Sequence, residues 1–492
     1  MNDERIISND AVEMIKGGGA NSSVPSVFNR KCKSVGVSTV ARMHQAGTQK
    51  EEDPIPMTIQ NCDENGQCTD QKMSVTLDAN WRWLHKTGTY TNCYTGTSWD
   101  SSICPDPDTC SNNCALEGVP TSDALNTYGI KSDGKNLNLK FVTKGQYASN
   151  IGSRTYLTNG DKYYMFKLKN REFTFDVDVS NLPCGLNGAL YFVEMEEDAG
   201  QSKYSLNKAG AKYGTGYCDA QCPHDLKFIN GEANVLDWNA GVGHYGTCCA
   251  EMDIWESNKA ASAYTAHTCS KPGQIRCEGT DCGDGGERYK GLCDKDGCDF
   301  NSYRMGDKDF FGEGPSFAVD TTQPFTVVTQ FLTTDGTDSG DLSEIRRLYV
   351  QNGKVIPLRN ATLDKLSQYN SISDDFCASQ KDLFNDTNAF AEKGGLKAMG
   401  ETLDRGMVLV MSLWDDHAVN MLWLDSSYPT DVDPSTPGVT RGPCSTDSGK
   451  PEDVESKYPD SSVSYGSIKY GAIGSTYPVS VIADECGCIQ PR

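Results

Sequence analysis

The chain has 492 residues, a formal net charge of −22 and twenty-one cysteines. That length suffices for one large domain or two or three ordinary ones, and the acidic balance argues against nucleic acid or an anionic membrane as partner while suiting a soluble protein that acts on a neutral polymer. The cysteines run from Cys32 to Cys488 with few histidines among them, so a reduced cytosol and a metal centre both fit badly, and disulfides in an oxidising compartment fit well.

In chain order, residues 1–44 begin acidic and polar, contain Gly17-Gly18-Gly19 and hold no signal-peptide apolar region. They read as a mispredicted or truncated gene start, with a disordered extension or an unconventional export route as alternatives. No segment approaches the roughly 18 continuous apolar residues of a membrane span. From Gln45 the pattern becomes period-2 and punctuated by turns. Leu137, Leu139 and Phe141 alternate, as do Phe173, Phe175, Val177 and Val179, and 325–332, 348–356 and 407–414 read as further strands, with Asn352-Gly353 as a hairpin turn. Helix signals are few: Asp386 or Thr387 caps a short segment, and 395–404 is stopped by Gly406. The pattern predicts an all-β sandwich with few short helices. Forty-eight glycines and long connections imply loops that build a binding channel. Asn360-Ala361-Thr362 and Asn385-Asp386-Thr387 are acceptors for N-glycosylation. Residues 478–492 read as a short tail without a carbohydrate-binding module.

The chain is organised around Cys248-Cys249-Ala250-Glu251-Met252-Asp253-Ile254-Trp255-Glu256. Hydrolysing a glycosidic bond with retention needs one carboxylate to attack the anomeric carbon and another to protonate the departing oxygen, the two about 5–5.5 Å apart. Glu251 and Glu256 are the candidates. Side chains alternate on a strand, so Glu251 and Asp253 share a face while Glu256 has the wrong parity. A straight strand would also hold the 251 and 256 α-carbons roughly 16 Å apart, so a bulge near Ile254-Trp255 is predicted to re-aim Glu256. An acid beside Glu251 can share a proton with it, which gives Asp253 a modulating role. A solvent-facing acidic edge strand is the bland alternative, disfavoured by Trp255, Met252 and the cysteine pair.

Cys-Cys followed by Glu-Met-Asp-Ile-Trp-Glu resembles the signature of glycoside hydrolase family 7, the fungal cellobiohydrolases and endoglucanases. The likeness runs from about Gln45 to Tyr477 through Asp78-Ala79-Asn80-Trp81-Arg82-Trp83, Leu182-Pro183-Cys184-Gly185-Leu186-Asn187-Gly188, Lys212-Tyr213-Gly214-Thr215-Gly216-Tyr217-Cys218-Asp219 and Met411-Ser412-Leu413-Trp414-Asp415-Asp416. It implies a concanavalin-like jelly-roll β-sandwich over 45–477 whose concave face carries the substrate under roofing loops. It also implies nine disulfides: Cys62–Cys68, Cys93–Cys114, Cys104–Cys110, Cys184–Cys444, Cys218–Cys249, Cys222–Cys248, Cys269–Cys293, Cys277–Cys282 and Cys298–Cys377. Cys32, Cys486 and Cys488 are left over, and a tenth bridge of some members is lost because Ala115 occupies its position.

By the same resemblance Glu251 is the nucleophile, Glu256 the acid and then base, Asp253 the modulator, and His267 a ring beside Glu256. Trp81 and Trp83, placed on one face of a strand, are sugar platforms on the approach side, with Trp414 and Trp423 nearer the cleavage point. Asn187, Tyr191, Asp219 and Gln221 would position sugar hydroxyls on the glycone side. Arg288, Asp296, Arg304 and Arg441 match a product-side cluster, for which Arg–Asp pairs that stitch loops are the competing reading. The implied activity is release of cellobiose from cellulose chain ends, reducing ends by resemblance, by a secreted monomer that needs no metal or organic cofactor. Stretches 428–444 and 335–346 keep the long form of cellobiohydrolases, whereas 234–248 and 282–293 are short, which points to a partly open tunnel. An endoglucanase of the same family and a lectin-like binder without chemistry are the rival readings.

Overall fold

The computed structural model describes residues 46–145 and 148–477; the readings made for 1–44 and 478–492 and for Cys32, Cys486 and Cys488 lie outside the described residues. The strands that build the site are β1 (Ile55–Cys62), β2 (Cys68–Leu77), β3 (Asn136–Lys140), β4 (Ser153–Asn159), β5 (Glu172–Asp178), β6 (Leu186–Val193), β7 (Glu251–Ser257), β8 (Ser262–His267), β9 (Cys298–Asn301), β10 (Phe325–Thr333), β11 (Leu342–Gln351), β12 (Lys354–Pro357), β13 (Met407–Asp415) and β14 (Ser462–Gly471).

One layer runs β9-β8-β7-β6-β13-β4-β2 and the other β3-β14-β5-β10-β11-β12, every neighbouring pair antiparallel. Strand β1 pairs with β2 and, in parallel, with the end of β14, so it turns the corner between the layers. The period-2 pattern explains the assembly. On β6, Leu190 and Phe192 enter the main core while Ala189, Tyr191 and Val193 belong to a second buried cluster; on β13, Leu409, Met411 and Leu413 face the core and Val408 and Val410 the second cluster. Both faces of this layer are therefore covered, one by the opposite sheet and one by loops, which is the environment in which a charged group loses water and must find partners.

The sandwich reading holds, with local differences. Residues 342–346, read as part of a long connection, belong to β11. A helix of eleven residues, α1 (Asp374–Phe384), was not foreseen, although Ser373 accepts from Phe376 N as its N-cap and Asp374 and Asp375 fill its first turn. The short helix that Asp386 or Thr387 was expected to cap is capped by Asn388, whose side chain accepts from Ala391 N. The second predicted helix is α2 (Gly395–Arg405), ending at Gly406. Trp81 and Trp83 are not on a strand: β2 stops at Leu77, and Asp78 accepts from Asn80 N to open a single 3₁₀ turn. The short polar side chain at 78 can satisfy backbone donors that a ladder would otherwise take.

The nine cysteine pairs named above are the nine disulfides among the described residues. Two of them, Cys218–Cys249 and Cys222–Cys248, lay the 218–222 segment against the start of β7.

Candidate active site

The register of β7 slips at the same place on both sides. Toward β8 the partners pass from Asp253↔Thr265 to Glu256↔Ala263, and toward β6 from Met252↔Phe192 to Trp255↔Leu190. Each time three steps on β7 oppose two on its neighbour, which is the extra residue of a bulge, at the Ile254-Trp255 position that strand parity requires. Ile254 and Trp255 both enter the core, Trp255 with its ring 5.7–6.1 Å from those of Phe175, Phe311 and Phe325. Two successive inward residues return Glu256 to the face that carries Glu251 and Asp253. The Ile254 carbonyl accepts from Arg347 Nη2, reaching across from β11 with its guanidinium 4.4 Å from the Tyr264 ring centroid.

All three carboxylates are buried, at 0%, 1% and 3% exposure for Glu251, Asp253 and Glu256. Glu251 Oε2 accepts from Ala220 N at 3.0 Å, a donor delivered by the disulfide-held 218–222 segment. Glu256 Oε1 accepts from Asn187 Nδ2 at 3.1 Å. His267 makes its carboxylate contact with Asp253, Nε2 to Oδ2 at 3.1 Å, while its Nδ1 lies 2.8 Å from the Asp294 carbonyl. That carbonyl can only accept, so Nδ1 is the donor, which leaves Nε2 facing Asp253. One ligand atom each from Glu251, Asp253 and His267 fall within 4.8 Å of one another, which sets the imidazole and the Asp253 carboxyl beside the nucleophile candidate. Sequence reasoning put His267 against Glu256; β8 pairs its His267 with Glu251 across the ladder and turns the ring onto Asp253.

Glu256 and His267 reach the wall of a cleft of about 680 Å³, and so do Gln221, Arg288, Asp296, Arg304, Trp423 and Arg441. Trp81, Tyr191, Asp219 and Trp414 instead surround a small cavity of about 20 Å³ together with Arg154 and Tyr217. Trp81 is 1% exposed and donates from Nε1 to the Ile151 carbonyl. Trp414 and Trp423 stack at 6.3 Å and 26°, and Trp423 Nε1 donates to Asp416 Oδ2.

The sequence profile of Glycosyl hydrolase family 7 matches residues 46–477. The chain belongs to that family. A crystal structure of a GH7 family cellobiohydrolase from Daphnia pulex is 56% identical and superposes with a TM-score of 0.87, covering 88% of this chain and 100% of that one. The cellobiohydrolase of Melanocarpus albomyces complexed with cellotetraose is 46% identical, with a TM-score of 0.82 over 88% of this chain and 100% of that one. The Humicola insolens endocellulase EGI is 37% identical, with a TM-score of 0.75 and the same coverages.

In this family 7 chain the polar side chains around the carboxylates are locked to one another. Tyr191 and Tyr217 share a hydrogen bond, and Tyr217 donates to Asp219 Oδ2, whose other oxygen accepts from Gln221 N. Arg154 lies 3.4 Å from the Tyr217 ring centroid and pairs with Asp78 at 2.9 Å. Asp225, at the same cavity, is pushed up to about 7 by burial, against Arg154 and with help from Asp219 and Asp78. Across the larger cleft, Arg288 donates to Asp296 and Arg304 to Asp299. Burial opposes ionisation of Asp296, yet Arg288 and Lys381 hold it down to about 2. Arg441 is brought down to about 10 by burial and by Arg304, and its Nε has no acceptor among the described residues. Arg154, Tyr217, Asp225, Asp299 and Lys381 escaped sequence reasoning. The only signal was adjacency to quoted motifs: Tyr217 lies inside one, and Asp299 follows Cys298.

Proposed function

We propose that this chain is a retaining β-1,4-glucan hydrolase that releases cellobiose from cellulose chain ends, reducing ends by family resemblance. The β7 bulge carries the reading: it sets two glutamates of opposite strand parity on one buried face, each with a hydrogen-bond donor, and binding alone requires no such device. Glu251 attacks the anomeric carbon while Glu256 gives its proton to the departing oxygen, leaving a glycosyl ester on Glu251. Glu256 then takes a proton from water, which attacks the same carbon and frees Glu251. Asp253, with His267 behind it, keeps a proton next to Glu251 and favours its departure in the second step.

Trp81, Trp83, Trp414 and Trp423 serve as sugar platforms, Tyr191, Asp219 and Gln221 line the glycone side, and Arg288, Asp296, Arg304 and Arg441 line the product side. No cofactor takes part. Residues 45–477 form the catalytic domain of a secreted monomer. The greater identity to cellobiohydrolases than to the endocellulase supports exo action. The test is the product profile on insoluble cellulose beside the viscosity of a soluble cellulose derivative, for the protein and for Glu251→Gln. Dominant cellobiose with slow viscosity loss, both abolished in the variant, is expected. A rapid viscosity drop with mixed oligosaccharides would make it an endoglucanase, and binding without hydrolysis a lectin-like protein.

A further inference from the structure

Asp415, the last residue of β13, is 3% exposed, and its Oδ2 has no hydrogen-bond partner among the described residues. His417 Nε2 stands 3.7 Å from that oxygen and 3.6 Å from Oε1 of Glu455, which belongs to α3 (Pro451–Lys457). The other histidine–carboxylate contacts among the described residues, at His85, His224, His244 and His267, close to 2.7–3.3 Å. A single imidazole nitrogen can give a proton to only one of two carboxylates, and here it stands at hydrogen-bond distance from neither. Ligand atoms about 2.0–2.2 Å from one ion, at angles between tetrahedral and trigonal, lie about 3.3–3.8 Å apart. Both separations fall in that range.

All three side chains are carried on anchored backbone. The ladder sets Asp415 opposite Leu186 of β6. Asp416 fixes the turn that follows by accepting from Ala418 N at 2.8 Å, Val419 N at 3.1 Å and Met421 N at 3.2 Å. Helix α3 buries Val454 in the main core, and its Lys457 pairs with Asp453 at 2.8 Å, which leaves Glu455 to face His417. Burial pushes Asp415 up to about 7 although His417 lowers it, with Glu455 adding to the rise, so one imidazole does not supply the positive charge that two carboxylates call for. The side chains of His417 and Glu455 are each 28% exposed, and an ion can reach them from solvent.

We infer that Asp415 Oδ2, His417 Nε2 and Glu455 Oε1 form a structural site for a first-row divalent cation of the zinc type, with water completing its shell. One imidazole nitrogen and two carboxylate oxygens suit zinc better than calcium or magnesium, which favour shells of oxygen alone. The ion ties α3 to the end of β13 and to the turn whose Asp416 holds Trp423. It takes no part in bond cleavage and does not depend on the glucanase reading.

The experiment titrates EDTA-treated, dialysed protein with zinc chloride at pH 7.5, where the ligands can yield their protons, by calorimetry and by thermal unfolding. His417→Gln and Glu455→Gln are compared with the parent, and His244→Gln is the control, because His244 also meets two carboxylates, Asp237 and Glu278, through separate nitrogens. One zinc per chain is expected, with a rise of about 2–4 °C in unfolding temperature at saturating zinc. His417→Gln and Glu455→Gln should each bind zinc more than about tenfold more weakly and lose the rise, whereas His244→Gln should keep both. Each variant is referred to its own zinc-free unfolding temperature, so loss of the ion pair is not counted as loss of the ion. Zinc binding that is absent from the parent, unchanged in either ligand variant, or abolished by His244→Gln overturns the assignment.

Discussion

Asn187 is a fully buried amide that touches the acid/base candidate from two sides: its Nδ2 donates to Glu256 Oε1, and its Oδ1 accepts from Ser257 N, the next backbone group along β7. Family resemblance placed it among residues that position sugar hydroxyls; the geometry adds a contact that positions Glu256. A donor to a carboxylate favours the charged form and fixes its direction. Asn187→Ala is therefore expected to cut kcat on a soluble aryl cellobioside by about 10- to 100-fold, the equivalent of one hydrogen bond to a charged group, with little change in KM. The alkaline limb of its pH–rate profile should move up, because Glu256 loses a partner that favours ionisation. A fall in thermal stability with an unchanged pH profile would assign Asn187 to the fold alone. At this scale Glu251, Asp253 and Glu256 are legible because they fall in one run of six residues with a chemical reason for each. His267 was legible as a neighbour of the carboxylates but not in its contact, and the Tyr191–Tyr217–Asp219 chain not as a network, because ring orientation follows from ladder register and loop placement.

The bulge in β7 is the element on which the candidate site depends, and it was legible from parity: two glutamates five apart that are to act on one bond cannot share a face of a regular strand. Its support was not. Arg347 lies 93 residues from Ile254, on the opposite sheet, buried at 1% among Tyr264 and Tyr349, and nothing in a period-2 pattern marks a buried arginine. By occupying the Ile254 carbonyl it satisfies an acceptor beside the register slip, where an unpaired buried group would cost about 1–3 kcal/mol. Arg347→Met, which keeps much of the volume and removes the donors, is expected to lower the unfolding temperature and to reduce kcat at 25 °C, far below unfolding, as Glu256 loses its fixed aim. A lowered unfolding temperature with unaltered kcat would show that the bulge stands without Arg347. Helix α1 escaped notice for a different reason. Its buried residues include Gln380 and Lys381 beside Phe376 and Cys377, so polarity does not trace its inner face, and only the Ser373 cap and the acidic first turn announce it.

Across the whole molecule the alternation of apolar residues made the sandwich legible, whereas the buried ionic groups that loops lay against it were not, because their partners come from distant segments. Those groups set the pH dependence of stability. Burial pushes Asp225 and Asp415 up to about 7, with His417 opposing and Glu455 assisting at Asp415, and pushes Asp425 up to about 6 even though Gly185 N and Asn258 Nδ2 donate to it. In the unfolded chain all three return to about 3.9. Between pH 4 and 7 the folded state therefore binds protons that the unfolded state does not, so stability falls as pH rises through this window and levels off above it. Asp296, held at about 2, acts in the opposite sense, losing its contribution only as pH drops below about 4. The two trends cross near pH 4–5, where the unfolding temperature should be highest, in keeping with an enzyme whose acid catalyst must be protonated to begin its cycle. Differential scanning calorimetry from pH 3 to 8 tests this, with Asp425→Asn as the control that removes one titrating group while keeping an acceptor for Gly185 N. The variant should flatten the fall between pH 5 and 7. An unfolding temperature that climbs steadily from pH 4 to 7 in the unaltered protein would mean that these carboxyls are ionised in the folded state, with cations or water reaching them where the fold now shows burial.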